Sequence, residues 1–314
     1  MILVADFGGT TIKLGLVQDT QIIAKTRLDA LANHPMQDRL EAVAKSWESL
    51  LQEQSRSLKD CIGVALALPF IVDVRNSRVC GEFGKFPGAS EIDFSEWSQS
   101  RLGLPLVMEN DLRLALLGES VVGSAKDNEH VVMLAIGTGI GCAVISGGRL
   151  FHGANNRAAS LLGHSCIAYN GSVGRCGNIG CAEDLASTAT LGELAKSHPD
   201  FTESSLSRAA RIDYETVFAL AEVGDVCSLG VRDQSLTIWA TLVQNAVLAY
   251  DPELVVLGGG VLKSQEIILP AIREHLRRYM PCIPWEIPIV AATLGDDAAL
   301  IGGEALFRQI HLKQ

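Results

Sequence analysis

Three stretches of the chain carry glycine in patterns that could hold a phosphate. Asp6-Phe7-Gly8-Gly9-Thr10-Thr11 lies between two β-prone runs. Such a turn exposes successive backbone N–H groups with no side chains in the way, and an acid at the strand end is placed to order Mg²⁺ or its waters. Gly137-Thr138-Gly139-Ile140-Gly141 has the same form, and Gly258-Gly259-Gly260 closes a later apolar run. Each turn alone also reads as an ordinary hairpin; their recurrence in matching places favours a ligand. Glu109-Asn110-Asp111 stands where an apolar run meets a helix, so Asn110 or Asp111 could be a helix N-cap, and Asp111 could equally accept a hydroxyl proton during attack on phosphorus. His164, Cys166, Cys176 and Cys181 are close enough in sequence to raise the question of a metal.

The surrounding elements read as alternating α/β. Short strands are expected at Ile2 to Ala5, Lys13 to Val17 and Ile22 to Thr26, followed by a helix with Leu40, Val43, Ala44, Trp47, Leu50 and Leu51 on one face. Cys61 to Leu68 and Pro105 to Met108 read as strands buried on both sides, the second leading into a helix near Asp111. The opening arrangement then recurs: His130 to Ile136 and Cys142 to Ser146 flank the second glycine turn, with a third strand near Leu150. A long helix with Leu236, Trp239, Ala240, Val243, Ala246, Val247 and Tyr250 on one face leads to strands at Leu254 to Leu257 and Pro288 to Ala292. The turn after Ile136 runs into strand rather than helix, which argues against a Rossmann site, and no P-loop motif occurs.

Composition narrows the class. A length of 314 residues suggests two domains, and 48% hydrophobic against 20% charged residues supplies ample core. The net charge of −10 gives no electrostatic footprint for nucleic acid, although a glycine turn can still bind a small anion. No signal peptide or spanning helix is visible, so the cytoplasm is the expected location. The eight cysteines, from Cys61 to Cys282, are too sparse in a chain this long for a disulfide scaffold. Cys61 and Cys142 read as small core residues, and His152 as structural.

Taken together, these motifs resemble the ROK sugar kinases, glucokinase-like members of the actin/hexokinase-like ATPase superfamily, over nearly the whole chain. Asp6 to Lys13 is similar to the first phosphate motif and Ile136 to Gly141 to the second, while Glu109-Asn110-Asp111 matches the segment with the catalytic aspartate. Gly148 to Asn155 with Gly163-His164, and Cys176-Gly177-Asn178-Ile179-Gly180-Cys181-Ala182-Glu183, resemble the sugar and zinc segments. Asp251 to Gly260 resembles the adenosine motif. The resemblance implies two ribonuclease H-like α/β domains with a cleft between them: 1–117, joined by the C-terminal helix 297–314, and 118–296. It implies Asp111 as general base, and Asn110, His164 and Glu183 on the sugar. Asp6, Gly8, Gly9, Thr10, Thr11, Lys13, Gly137, Thr138, Gly139, Gly258, Gly259 and Gly260 would surround ATP, with Asp6 near Mg²⁺. A homodimer is also implied, as is closure of the domains on the substrate; the helix-turn-helix that the family's repressors carry before the phosphate strand is not expected here.

Three positions depart from the family pattern. Leu161 replaces a glutamate, Lys85 an asparagine, and Gly174 the first cysteine of the zinc set. His164, Cys176 and Cys181 remain as zinc ligands, with Cys166 as a candidate fourth. The expected function is ATP-dependent phosphorylation of a hexose or hexose derivative. The alternative is a sugar- or nucleotide-sensing protein with weak turnover.

Overall fold

The computed structural model describes residues 1–81, 84–280 and 287–312; Cys282, Lys313 and Gln314 of the sequence reading lie outside them. The chain opens with β1 (Ile2–Phe7), β2 (Thr11–Gln18), β3 (Gln21–Asp29) and α1 (Met36–Glu53). It continues through β4 (Gly63–Leu68), the small pair β5 (Val72–Asp73) and β6 (Arg78–Val79), α2 (Phe94–Leu102), β7 (Leu106–Asn110) and α3 (Asp111–Val122). β8 (Val131–Ile136), β9 (Ile140–Ser146) and β10 (Arg149–Leu150) follow. After a turn-rich stretch come α4 (Ala182–Ala186), α5 (Leu191–Ser197), α6 (Tyr214–Glu222) and α7 (Val226–Tyr250). β11 (Leu254–Gly258), α8 (Gln265–Tyr279), β12 (Ile289–Ala291) and α9 (Ala298–His311) complete it.

Two five-stranded sheets repeat one design, in the orders β3-β2-β1-β4-β7 and β10-β9-β8-β11-β12. β1 is antiparallel to β2 and parallel to β4, which is parallel to β7; β8 is antiparallel to β9 and parallel to β11, which is parallel to β12. The compact units are 1–127 with 150–158 and 293–314, and 128–149 with 159–292. Residue 118, where sequence reading placed the domain boundary, lies inside α3, and the first unit continues to Asp127.

The first sheet is covered on both faces, which is why every residue of β1 is buried. The pleat sends Leu3, Ala5 and Phe7 toward α1, whose buried residues Leu40, Val43, Ala44, Trp47, Leu50 and Leu51 are those of the sequence pattern. Ile2 and Val4 point the other way, into a core with Leu114, Leu117, Leu300 and Phe307 from α3 and α9. Asp6 shares their parity. In the second unit, Trp239, Val243 and Val247 of α7 pack with Val132, Leu134 and Val255.

Helices α3 and α9 meet through bare backbone. A methyl group built on Gly118 would lie 2.1 Å from the Ala298 carbonyl oxygen, and one on Gly302 would lie 1.8 Å from that of Leu114. Backbone cannot swing aside as a side-chain tip can, so Gly302→Ala should lower stability by about 1–3 kcal/mol, read as a fall in urea midpoint at unchanged slope. Gly192→Ala, which meets open space, should leave the midpoint unchanged or raise it.

Candidate functional site

In the first unit the register of three parallel strands assembles a site at their carboxyl ends. Asp6 is paired with Ala67, and Ala67 with Glu109, which sets Asp6 and the Glu109-Asn110-Asp111 junction at one level, two strand spacings or roughly 10 Å apart. The turn after β1 completes it. Gly8 donates to the carbonyls of Asp6 and Thr11, while the N–H groups of Gly9 and Thr10 have no partner among the described residues. They are free to receive an anion.

Asn110 is the N-cap of α3: its side-chain oxygen accepts from the N–H groups of Leu112 and Arg113. Its amide nitrogen donates to the Phe70 carbonyl and, at 2.9 Å, to Asp111 Oδ1. Leu112 N–H donates to the same Oδ1 at 2.8 Å. Asp111 Oδ2 makes no hydrogen bond among the described residues. Burial pushes the Asp111 pKa up to about 7, with the negative charge of Asp6 adding to it; the Leu112 N–H, the Lys85 charge and the Asn110 amide pull it down. Asp6 is likewise raised by burial, against the pull of Lys13, whose ammonium lies 3.2 Å from Asp6 and 3.0 Å from Asp296.

Sequence reading missed what holds this junction. Glu109 is fully buried, and its Oε1 accepts from the Asn110 N–H at 2.8 Å and from Arg113 at 3.2 Å. Its Oε2 lies 2.5 Å from His152 Nε2. Arg113, also fully buried, donates to the carbonyls of Asn156 and Ala158. The one visible signal was an acid and an arginine four residues apart. His152, for which the sequence offered no partner, has one in Glu109.

In the second unit the glycines gather at one sheet end. Gly258 pairs with Ala135, and a methyl group on Gly259, whose φ is 93°, would strike the Ile136 carbonyl oxygen at 2.1 Å. Gly137 N–H donates to the Gly139 carbonyl, while Thr138 and Gly139 offer N–H groups with no partner among the described residues. Glu183 borders this turn: its Oε2 accepts from Ile140 N–H at 2.8 Å, and its Oε1 lies 3.9 Å from His164 Nδ1. His164, Cys176 and Cys181 bring their ligand atoms within 4.8 Å of one another. Cys166 does not join that group, although its backbone bridges to Cys181. A side chain on Gly174 would meet the Asp184 carboxylate at 1.8 Å, a carboxylate held by the Arg175 N–H and guanidinium. Leu161 is exposed. Among the described residues, no helix is long and apolar enough to cross a membrane.

Two mixed sheets of one order, each with glycine turns at a single end, define the actin/hexokinase-like α/β fold. A ROK hexokinase from Thermus thermophilus is 26% identical with a TM-score of 0.78, covering 96% of each chain. A ROK family glucokinase from Streptomyces griseus, solved with glucose and AMPPNP, is 25% identical with a TM-score of 0.76, covering 98% of this chain and 99% of that one. A glucokinase of Thermotoga maritima is 30% identical over 97% of this chain and 96% of its own length. The ROK family model matches residues 2–310, and the chain belongs to the ROK family.

The raised Asp111 has a measurable consequence for stability. The unfolded chain releases this proton near the ordinary 3.8 and the folded one near 7, so between those values the folded state binds more protons and stability falls as pH rises. The penalty is complete above 7 and absent below 3.8. Asp111→Asn removes it, so the variant should melt several degrees higher than the native protein at pH 8. The gap should close as pH approaches 4, as followed by circular dichroism.

Proposed function

We propose that the chain transfers the γ-phosphoryl group of ATP to a hydroxyl of a hexose or hexose derivative, with Asp111 as general base. Full-length similarity to proteins named as sugar kinases supports hexose phosphorylation in general. The observation that carries the finer reading is the state of Asp111: one oxygen is tethered by two hydrogen bonds, the other is unbonded, and its pKa is near 7. A base must be held in place, must keep an oxygen for the incoming proton, and works best with a pKa near the working pH.

In this reading the acceptor hydroxyl lies on Asp111 Oδ2. Its oxygen attacks phosphorus, its proton passes to the carboxylate, and the bond from phosphorus to the bridging oxygen of ADP breaks with its electron pair. Asn110 holds Asp111 through its amide, while His164 and Glu183 meet the sugar. The open N–H groups of Gly9, Thr10, Thr138 and Gly139 receive phosphate oxygens, and Gly258 to Gly260 leave space for the nucleoside. Asp6 offers a hard oxygen donor whose negative charge already raises Asp111 and which Asp296 raises in turn, a surplus of negative charge that fits Mg²⁺; bound there, the ion would neutralise charge on the β- and γ-phosphates. His164, Cys176 and Cys181 offer the soft donor set that suits zinc, with Asp184 filling the space of the missing fourth side chain.

Four outcomes test this. A coupled ADP assay over hexoses, N-acyl hexosamines and sugar acids should show ADP release only with a suitable acceptor. Asp111→Asn should cut kcat by roughly 10²–10⁴ with the fold intact; retention of most of kcat would remove the base assignment. Native kcat/KM should rise with pH through about 7, as Asp111 gives up its proton. Metal analysis of unchelated protein should find about one zinc per chain, falling in Cys176→Ser; a value near zero would retire the zinc reading.

A further inference from the structure

The first unit sets one lysine over the β1–β2 turn. Lys85 is half-buried, and its ammonium has no hydrogen-bond or ion-pair partner among the described residues. It lies over the β1–β2 turn: a methyl group built on Gly9 would be 3.4 Å from Lys85 Nζ and 3.5 Å from its Cε. Its charge is felt at the Asp111 carboxylate. The backbone that presents it is anchored at some cost. Phe86, the next residue, has φ 50°, a left-handed conformation that a bulky side chain adopts only when its surroundings enforce it. The surroundings do: Phe86 is fully buried, edge-on to Phe7 at 5.6 Å and to Phe70 at 6.4 Å, and its N–H donates to the Ala32 carbonyl. Phe7 leads directly into the Gly8-Gly9 turn, so one aromatic contact fixes the lysine against the turn.

Resting on the phosphoryl-transfer reading above, we propose that Lys85 is a further catalytic residue, whose ammonium binds the γ-phosphoryl group of the nucleotide between the Gly9–Thr10 amides and Asp111. A group held by the turn and attacked by an oxygen that gives its proton to Asp111 must pass between the two. Its oxygens carry the charge that an ammonium held against the turn stabilises. Lys85 keeps its three protons throughout; the only proton moved is the one from acceptor hydroxyl to Asp111. The same ammonium could instead meet an acidic group on the acceptor, but its position over Gly9 favours the phosphoryl group, which every acceptor shares.

The test compares Lys85→Met and Lys85→Arg with the native protein in nucleotide binding and in turnover. Lys85→Met should weaken AMPPNP by about tenfold or more while leaving ADP, which lacks the third phosphoryl group, within about twofold. It should lower kcat by roughly 10²–10³ with neutral and acidic acceptors alike, and Lys85→Arg should recover part of both losses. Equal weakening of the two nucleotides, unchanged kcat, or a rise in KM confined to acidic acceptors would each overturn the assignment. The binding comparison needs no turnover, so a native protein inactive toward every acceptor would count against the kinase reading while AMPPNP against ADP still decides on Lys85. If Lys85→Met does not fold, Lys85→Gln serves in its place.

Discussion

A carboxylate with no access to water organises the first unit. Glu109 would be costly to bury alone, and it is tolerated because three donors converge on it: its neighbour's N–H, the Arg113 guanidinium and the His152 ring. Those bonds do more than offset desolvation. They set the angle at which β7 passes into α3, and so the position of Asn110 and Asp111. Through Arg113 they also reach the carbonyls of Asn156 and Ala158, tying the 150–158 segment into a unit from which it is separated in sequence.

The same architecture serves the chain twice, with different chemistry at each copy. In the first sheet the carboxyl ends of the parallel strands carry acids, Asp6 and Asp111, and a turn with open amides. In the second, the matching ends carry glycines: at Gly259 the backbone passes too near the Ile136 carbonyl for a side chain, and at Gly258 a side chain would press on Met133. Buried acids at strand ends thus mark one unit, while the glycine-lined end of the other carries open amides.

A second carboxylate, Glu119, has an analogous role at the edges of the first unit. It accepts from the N–H and hydroxyl of Ser124, from the N–H and hydroxyl of Thr293, and from the Leu294 N–H. One buried side chain thereby fastens both the segment where the unit first ends and the segment where the chain re-enters it. The close approach of α3 and α9 through Gly118 and Gly302 depends on that re-entry.

Much of this was legible in the residues. The apolar face of α1, the α/β order, the glycine turns and the acids at strand ends follow from periodicity and from which residue types suit each backbone shape, both local properties. The helix cap at Asn110 was legible for the same reason. The partner of His152 was not, since 43 residues separate it from Glu109 and no local pattern joins them. Nor could spacing show that Cys166 stands apart from the cysteines near it, or that Asp184 fills the place left by Gly174, because the course of the intervening loop decides both. Lys85 makes the contrast plain. In the sequence it marks only a departure from the family's asparagine, and only the packing of Phe86 against Phe7 sets its charge over Gly9, where Asp111 feels it.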